Sequence, residues 1–156
     1  MEKMLISGVA ADKNVARVRV AGLDNDPNST FKLLNLLDKN NLNIDVMIQS
    51  IGKDNTKSVS FTVAKTDLLR TLDVLNAHQD SLGFKKLTSD DKVAKVSVIG
   101  AGVRSHSGVA AKMFGALANA GINTEMVTTS EIRITALINE DYADLAMRAI
   151  HETFLE

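Results

Sequence analysis

The first clear pattern along the chain begins at Ala16, where Ala16, Val18 and Val20 alternate with Arg17 and Arg19. A period of two puts the apolar set on one face of a half-buried strand. Pro27 and Asn28 then read as a turn. Asn28 or Ser29 is expected to cap a helix, because a short side-chain oxygen can accept from the unpaired N–H groups of a first turn. Phe31, Leu33, Leu34 and Leu37 supply the expected buried stripe of that helix. A strand starting at Asn43 would carry Ile44, Val46 and Ile48 on one face and Asn43, Asp45, Met47 and Gln49 on the other. Residues 52–57 read as a polar hairpin loop, and Val59, Phe61 and Val63 mark a third strand. Thr66 is expected to cap a second helix with Leu68, Leu69, Leu72 and Leu75, and a weaker strand follows near 83–87. The order is βαββαβ, that of a ferredoxin-like plait.

The pattern then repeats. VARVRVAG from Val15 is matched by VAKVSVIG from Val93, and the stretch 27–49 by the stretch 107–129, with Lys32 against Lys112, Leu37 against Leu117 and Asn43 against Asn123. Two copies are too few for a solenoid. The second copy reads as strand 93–99, helix 108–120, strand 123–129, strand 132–138 and helix 141–152, and it lacks a sixth strand. The segment from Met4 to Val9 has no counterpart in the first copy, so it is expected to supply that strand. The reading is an α+β fold of two ferredoxin-like βαββαβ units. The first (15–88) is inserted in the second (1–14 and 89–156).

Composition narrows what such a fold could do. A chain of 156 residues makes one domain or two small ones. With 45% hydrophobic and 24% charged residues it is expected to fold as an ordinary globular protein. The absence of Cys excludes a disulfide scaffold, a thiolate zinc site and a Cys nucleophile, and suits a reducing cytoplasm. No segment approaches the roughly 18 apolar residues of a membrane span, and the N-terminal apolar run is too short for a signal peptide. A cytoplasmic protein with no membrane partner is expected. Net charge is −1 and aromatics are 4%, so nucleic acid is not an expected partner. An RNA-binding module of the same element order would need exposed aromatics on a basic sheet, whereas Phe31 and Phe61 fall at buried-type positions.

Catalytic signals are weak. His78, His106 and His151 share no metal spacing, and His78 and His151 fall near helix C-termini, where a cation suits the dipole. Gly100, Ala101 and Gly102 lie between a strand and a helix, but Ser105 stands where a dinucleotide fingerprint needs its third Gly. No P-loop is present, and a small hydrolase would need a convergent Arg, Asn or His constellation that the residues do not form. No metal and no cofactor are expected. The charge clusters 67–70 and 131–133 read as solvated faces, and the Ala-rich helix 109–120 as a close-packed one. One constellation does carry chemistry. The loop Asp24-Asn25-Asp26-Pro27-Asn28 leads into a helix start, beside the strand face of Asn43, Asp45 and Gln49. Helix N–H groups favour a carboxylate, and carboxylate and carbonyl oxygens favour an ammonium. Together they suit a zwitterionic amino acid, although the same residue types also serve as ordinary caps and outer-face polar groups.

GVAADKNVARVRVAG, LNIDVMIQS, KVSVIGAGVRSHSGVAAKMFGAL, INTEMVTTSEIRI and the closing AIHETF together resemble the regulatory part of aspartate kinase, over essentially the whole chain. The resemblance implies two ACT units, the first inserted in the second, sharing sheets across a homodimer. It implies a separately translated small regulatory subunit, or a regulatory fragment, with no kinase lobe and therefore no catalysis of its own. Implied partners are a catalytic aspartate kinase subunit and the feedback inhibitors threonine and/or lysine, held between ACT units of two chains. Carried over by motif, the implied effector-binding residues of the first unit are Asn25, Asn28, Thr30, Asn43, Ile44, Asp45 and Gln49. Those of the second are Val109, Ala110, Asn123, Thr124 and Ser130. The family's usual loop of Asp, basic residue, Pro, Gly is here Asn25-Asp26-Pro27-Asn28. Thr124 stands where a β-branched apolar residue usually follows the Asn. A scaffold that assembles the catalytic subunit without binding an effector is the alternative.

Overall fold

The computed structural model describes residues 6–100, 106–130 and 132–154. The expectations for Met4 and Leu5, for 101–105 with the side chain of His106, and for Glu131 lie outside the described residues. In chain order the elements are β1 (Ile6–Asp12), β2 (Ala16–Asp24), α1 (Pro27–Lys39), β3 (Met47–Ile51), β4 (Thr56–Val63), α2 (Leu68–Ala77), α3 (Gln79–Leu82) and β5 (Lys86–Asp90). They continue with β6 (Val93–Gly100), α4 (His106–Asn119), β7 (Met126–Thr129), β8 (Arg133–Asn139) and α5 (Ala143–Phe154). The chain divides into two compact units, residues 14–91 and residues 1–13 with 92–156.

The unit of residues 14–91 is a four-stranded antiparallel sheet in the order β3-β4-β2-β5. In β2 the expected alternation holds, with Ala16, Val18 and Val20 fully buried. A bulge between Ala21 and Leu23 interrupts it. Gly22 at the bulge has φ +81, and a Cβ there would meet Lys85 Cβ at 2.7 Å, so the position needs glycine on two counts. The extra residue turns Leu23 into the core and leads the chain toward α1.

The cap of α1 is Asp26, not Asn28 or Ser29. Asp26 sits in an extended conformation before Pro27, and its carboxylate accepts from the backbone N–H of Asn28 and of Ser29. Pro27 at the first helical position needs no N–H partner, which fixes the cap two residues before Asn28 and three before Ser29. The buried row of α1 is therefore Ser29, Leu33 and Leu37. Leu34 is half-buried, and Phe31, two residues off that row, points outward at 64% exposure. The second helix also differs from expectation. Thr66 lies within a 3-10 turn, Lys65–Asp67, that has no side-chain cap, and α2 buries Leu68, Thr71 and Leu75. Leu69, rotated about 100° from that row, is 76% exposed. Gly83 ends α3 in a left-handed conformation, so the last strand begins at Lys86 and not at Gly83. Arg70 is exposed but is more than a solvated charge: Nη1 donates to the carbonyl of Asn40, the residue ending α1. His78 ends α2 as expected, with Nδ1 2.9 Å from the Val74 carbonyl.

The unit of residues 1–13 and 92–156 is a second antiparallel sheet in the order β1-β6-β8-β7. β1 pairs with β6 from Ile6↔Gly100 to Asp12↔Lys95, the strand that counting elements requires. Val96, Val98, Ile134, Ala136 and Ile138 of the sheet share a core with Val109, Met113 and Leu117 of α4 and Ile150 of α5. In both units the strand expected to start at the repeated Asn is shorter: β7 starts at Met126 and not at Asn123, and β3 at Met47 and not at Asn43.

Candidate functional site

A corner forms in the first unit where β2 ends, residues 25–26 lead into α1, and Gln49 of β3 comes close. In the first unit this corner is held by a chain of side-chain bonds. Asn25 Nδ2 donates to Asn55 Oδ1 across the loops at 2.9 Å. The Thr30 hydroxyl, in the first turn of α1, donates to Gln49 Oε1 on β3. Lys57, on β4, is only 7% exposed. Its ammonium donates to the Asp26 carbonyl at 2.8 Å and reaches the Thr30 hydroxyl at 3.4 Å. Thr30 thus joins Lys57 on one side to Gln49 on the other, and the corner spans α1, β3 and β4.

The other carried-over residues of this unit are in different states. Asn43 and Asp45 are exposed and Ile44 packs against the core of the unit. They precede β3 because Thr62 holds this stretch in its own way. The Asp45 N–H donates to the Thr62 carbonyl, the Thr62 N–H to the Val46 carbonyl, and the Val46 N–H to the Thr62 hydroxyl at 3.0 Å. The expected strand face of Asn43, Asp45 and Gln49 is therefore an irregular lead-in followed by an edge strand. Ile48, expected opposite the polar face, is itself 38% exposed on that edge.

One expectation about the chemistry is overturned. The helix start was read as offering unpaired N–H groups to a carboxylate, but those of Asn28 and Ser29 are already taken by Asp26. These bonds, that from Ser29 first, hold the Asp26 carboxyl below its ordinary value. Asp54 in the β3–β4 loop is likewise lowered, mainly by the Thr56 hydroxyl and then by the Thr56 N–H. Lys57 brings a buried positive charge to this corner, beside the exposed Lys32, and no sequence expectation included it. A signal was present: Lys57 is in line, two residues apart, with Val59, Phe61 and Val63, the buried row of β4.

In the second unit the carried-over residues have different surroundings. Val109 is buried in the core and Ala110 packs against it. Asn123 is exposed and Thr124 half-buried. Ser130 closes a turn, its N–H donating to the Arg133 carbonyl at 2.7 Å. A groove of about 280 Å³ opens between α1 and α2–α3, and none of the carried-over residues lines it. Among the described residues no group of three or more His, Asp or Glu is placed to hold a metal, and no helix is long and apolar enough to cross a membrane.

An ACT domain model matches residues 96–154. With two βαββαβ-like units, the chain is a tandem ACT-domain protein. A crystal structure of aspartokinase alpha and beta subunits contains a chain 42% identical to this one, with a TM-score of 0.89, covering 97% of this chain and 99% of its own. The ligand-free regulatory subunit of aspartate kinase from Thermus thermophilus is 33% identical, with a TM-score of 0.89, covering 96% of this chain and 99% of its own. The chain belongs to the aspartate kinase regulatory family. An aspartokinase of Pseudomonas aeruginosa is 39% identical over 99% of this chain, which spans 37% of that relative's length.

Proposed function

We propose that this chain is the allosteric regulatory subunit or domain of an aspartate kinase, which binds threonine and/or lysine at ACT–ACT interfaces between two copies of itself and so mediates feedback inhibition. The observation that carries the reading is the bonded corner of Thr30, Gln49 and Lys57, in a chain of this family. The corner brings a cation, a hydroxyl and a carboxamide together, groups that suit the carboxylate and polar atoms of a free amino acid. An effector bound there favours one arrangement of the assembly. Only its differential affinity for the two arrangements shifts the catalytic partner, by a coupling typically of about 1–3 kcal/mol. Asn25, Asn28, Ile44, and Val109, Ala110, Asn123, Thr124 and Ser130 of the second unit complete the proposed set. The chain itself carries no kinase chemistry in this reading, and it acts in the cytoplasm on a catalytic partner.

Calorimetric titration with threonine and lysine tests the proposal. Heat of binding and a melting temperature that rises at millimolar threonine are expected, because a ligand preferring the native state stabilises it. Gln49→Ala and Asn43→Ala are expected to weaken threonine binding. Undiminished affinity in both would place the effector elsewhere. The second reading is a scaffold for the catalytic subunit, and Asp26 favours it by occupying helix N–H groups that could otherwise receive an effector's carboxylate. In that case the catalytic subunit gains stability from this chain while threonine and lysine change neither component.

A further inference from the structure

Resting on the reading above that this chain has a catalytic partner, we propose that the groove between α1 and α2–α3 docks an acidic segment of that partner, with an apolar side chain of the segment seated between its carboxylates. The groove measures about 280 Å³. That is just under the range of roughly 300–1,000 Å³ typical of small-molecule and cofactor sites, so it suits a side chain or two of a larger partner better than a whole cofactor. Its α1 wall is one stripe of the helix: Lys32, Asn35, Leu36 and Lys39, spaced i, i+3, i+4 and i+7. His78 and Ser81 form the other wall. Leu82, 8% exposed, and the partly buried Leu36 give the groove an apolar base.

Charge complementarity selects the occupant. The two lysines lie two helical turns apart, about 10 Å along α1, and no acidic residue lines the groove. The acids of the same elements, Asp38, Asp73 and Asp80, are exposed and fall outside the lining. Asp26 offsets Lys32 in part, since each feels the other's charge, whereas Lys39 stands at the opposite end of α1. The other wall offers a cation little, because the Ser81 hydroxyl already donates to the His78 carbonyl and His78 Nδ1 is held by the Val74 carbonyl. A segment with carboxylates about 10 Å apart and an apolar side chain between them, as on two turns of a helix, meets both lysines and covers the leucines. The repeat does not impose this stripe. At the positions of α4 that match Asn35, Leu36 and Lys39 stand Gly115, Ala116 and Asn119, so of the four only the lysine at Lys112 recurs. The stripe is a property of the first unit and not a requirement of the fold.

The test is calorimetric titration of the full 156-residue chain with the catalytic polypeptide of the same organism. Lys39→Glu reverses the charge of one wall, and Ser81→Trp fills the groove from the other at unchanged charge. Association is expected to weaken about fivefold in Lys39→Glu and about tenfold in Ser81→Trp, with the melting temperature kept. The first loss shrinks at about 0.5 M salt, while the second stands. Lys86→Glu, the same charge reversal at an exposed position outside the groove, is expected to bind as the wild type does. Unchanged affinity in either groove variant that keeps its melting temperature, or an equal loss in Lys86→Glu, overturns the inference and leaves the regulatory reading intact. So does a Ser81→Trp chain that loses self-association but not the partner, which gives the groove to a second copy. Uptake of inorganic phosphate that Lys39→Glu abolishes, with the partner still bound at full affinity, gives it to a small anion and also overturns the inference. A wild-type chain that does not bind the catalytic polypeptide overturns the partner reading, and the inference with it.

Discussion

The two units share one plan and fill it differently. Backbone pairing aligns Thr62 with Leu137, since the N–H of Asp45 reaches one carbonyl and that of Glu125 the other. Phe61 therefore corresponds to Ala136, and the helical match sets Ser29 against Val109 and Leu33 against Met113. The first unit puts its bulk on the strand, with Phe61, and a small residue at the head of the helix, with Ser29. The second puts Ala136 on the strand and larger residues, Val109 and Met113, on the helix. All six are buried. A core needs its volume filled and does not prescribe which layer fills it. The polar contents differ as well. The first unit buries Lys57 at the corner and Thr62 beneath the 45–46 lead-in, whereas the second buries a hydroxyl pair, Ser97 with Thr135 at 2.8 Å. The first unit has thus placed charge near its candidate site, where the second has placed none among its described residues that is as buried as Lys57.

The largest test of this contrast is Phe61→Ala, which gives the first unit the strand residue of the second without the larger helix residues that accompany it. A loss of about 3–5 kcal/mol is expected, read by denaturant unfolding. A cost under about 1 kcal/mol would mean the two cores are interchangeable. Thr62→Val comes next. It removes the hydroxyl that accepts from Val46 N–H at a buried position, and about 1–3 kcal/mol is expected from the orphaned donor. It is also expected to loosen the 43–46 lead-in, seen as faster amide exchange at Val46, with the β7 region unchanged.

The smallest effect concerns acid. The folded Asp26 carboxyl lies below its ordinary value of 3.8, so the native state binds its proton less readily than the unfolded chain. The resulting stabilisation is complete well above 3.8 and is lost as pH falls through the lower folded value. Asp26→Asn keeps an oxygen to cap α1 but removes this dependence. The variant is expected to flatten the acid limb of the melting-temperature profile below about pH 4, leaving neutral pH little changed. An unaltered acid limb would show that the cap does not contribute to it.

Much of the fold was legible because strand alternation and the repeat both report burial directly. Val59, Phe61 and Val63, or Val96 and Val98, could face only one way, and the orphan N-terminal segment had one place to pair. Helix faces were less legible. A stretch such as Phe31-Lys32-Leu33-Leu34 offers several apolar rows, and the true one was set by Pro27 and Asp26, which start the helix before either cap that was expected. The candidate site was legible in its residue types but not in its charge. Lysine on a strand reads as solvent-facing, because burying an ammonium costs free energy unless partners are supplied. The partners of Lys57 are a backbone carbonyl 31 positions away and a hydroxyl 27 positions away, which no local pattern reveals.

The pairing of β1 with β6 has a consequence for how the chain is made. Asp12 finds its partner in Lys95 and Ile6 in Gly100, so this first strand leaves the ribosome long before the strand it must join. At about 5–20 residues per second the wait is several seconds or more, while all of residues 14–91 emerge in between. The middle of the chain can therefore settle first, whereas the outer sheet must close a long loop afterwards. Until it closes, β6 has an open flank to which a strand from another nascent chain could add.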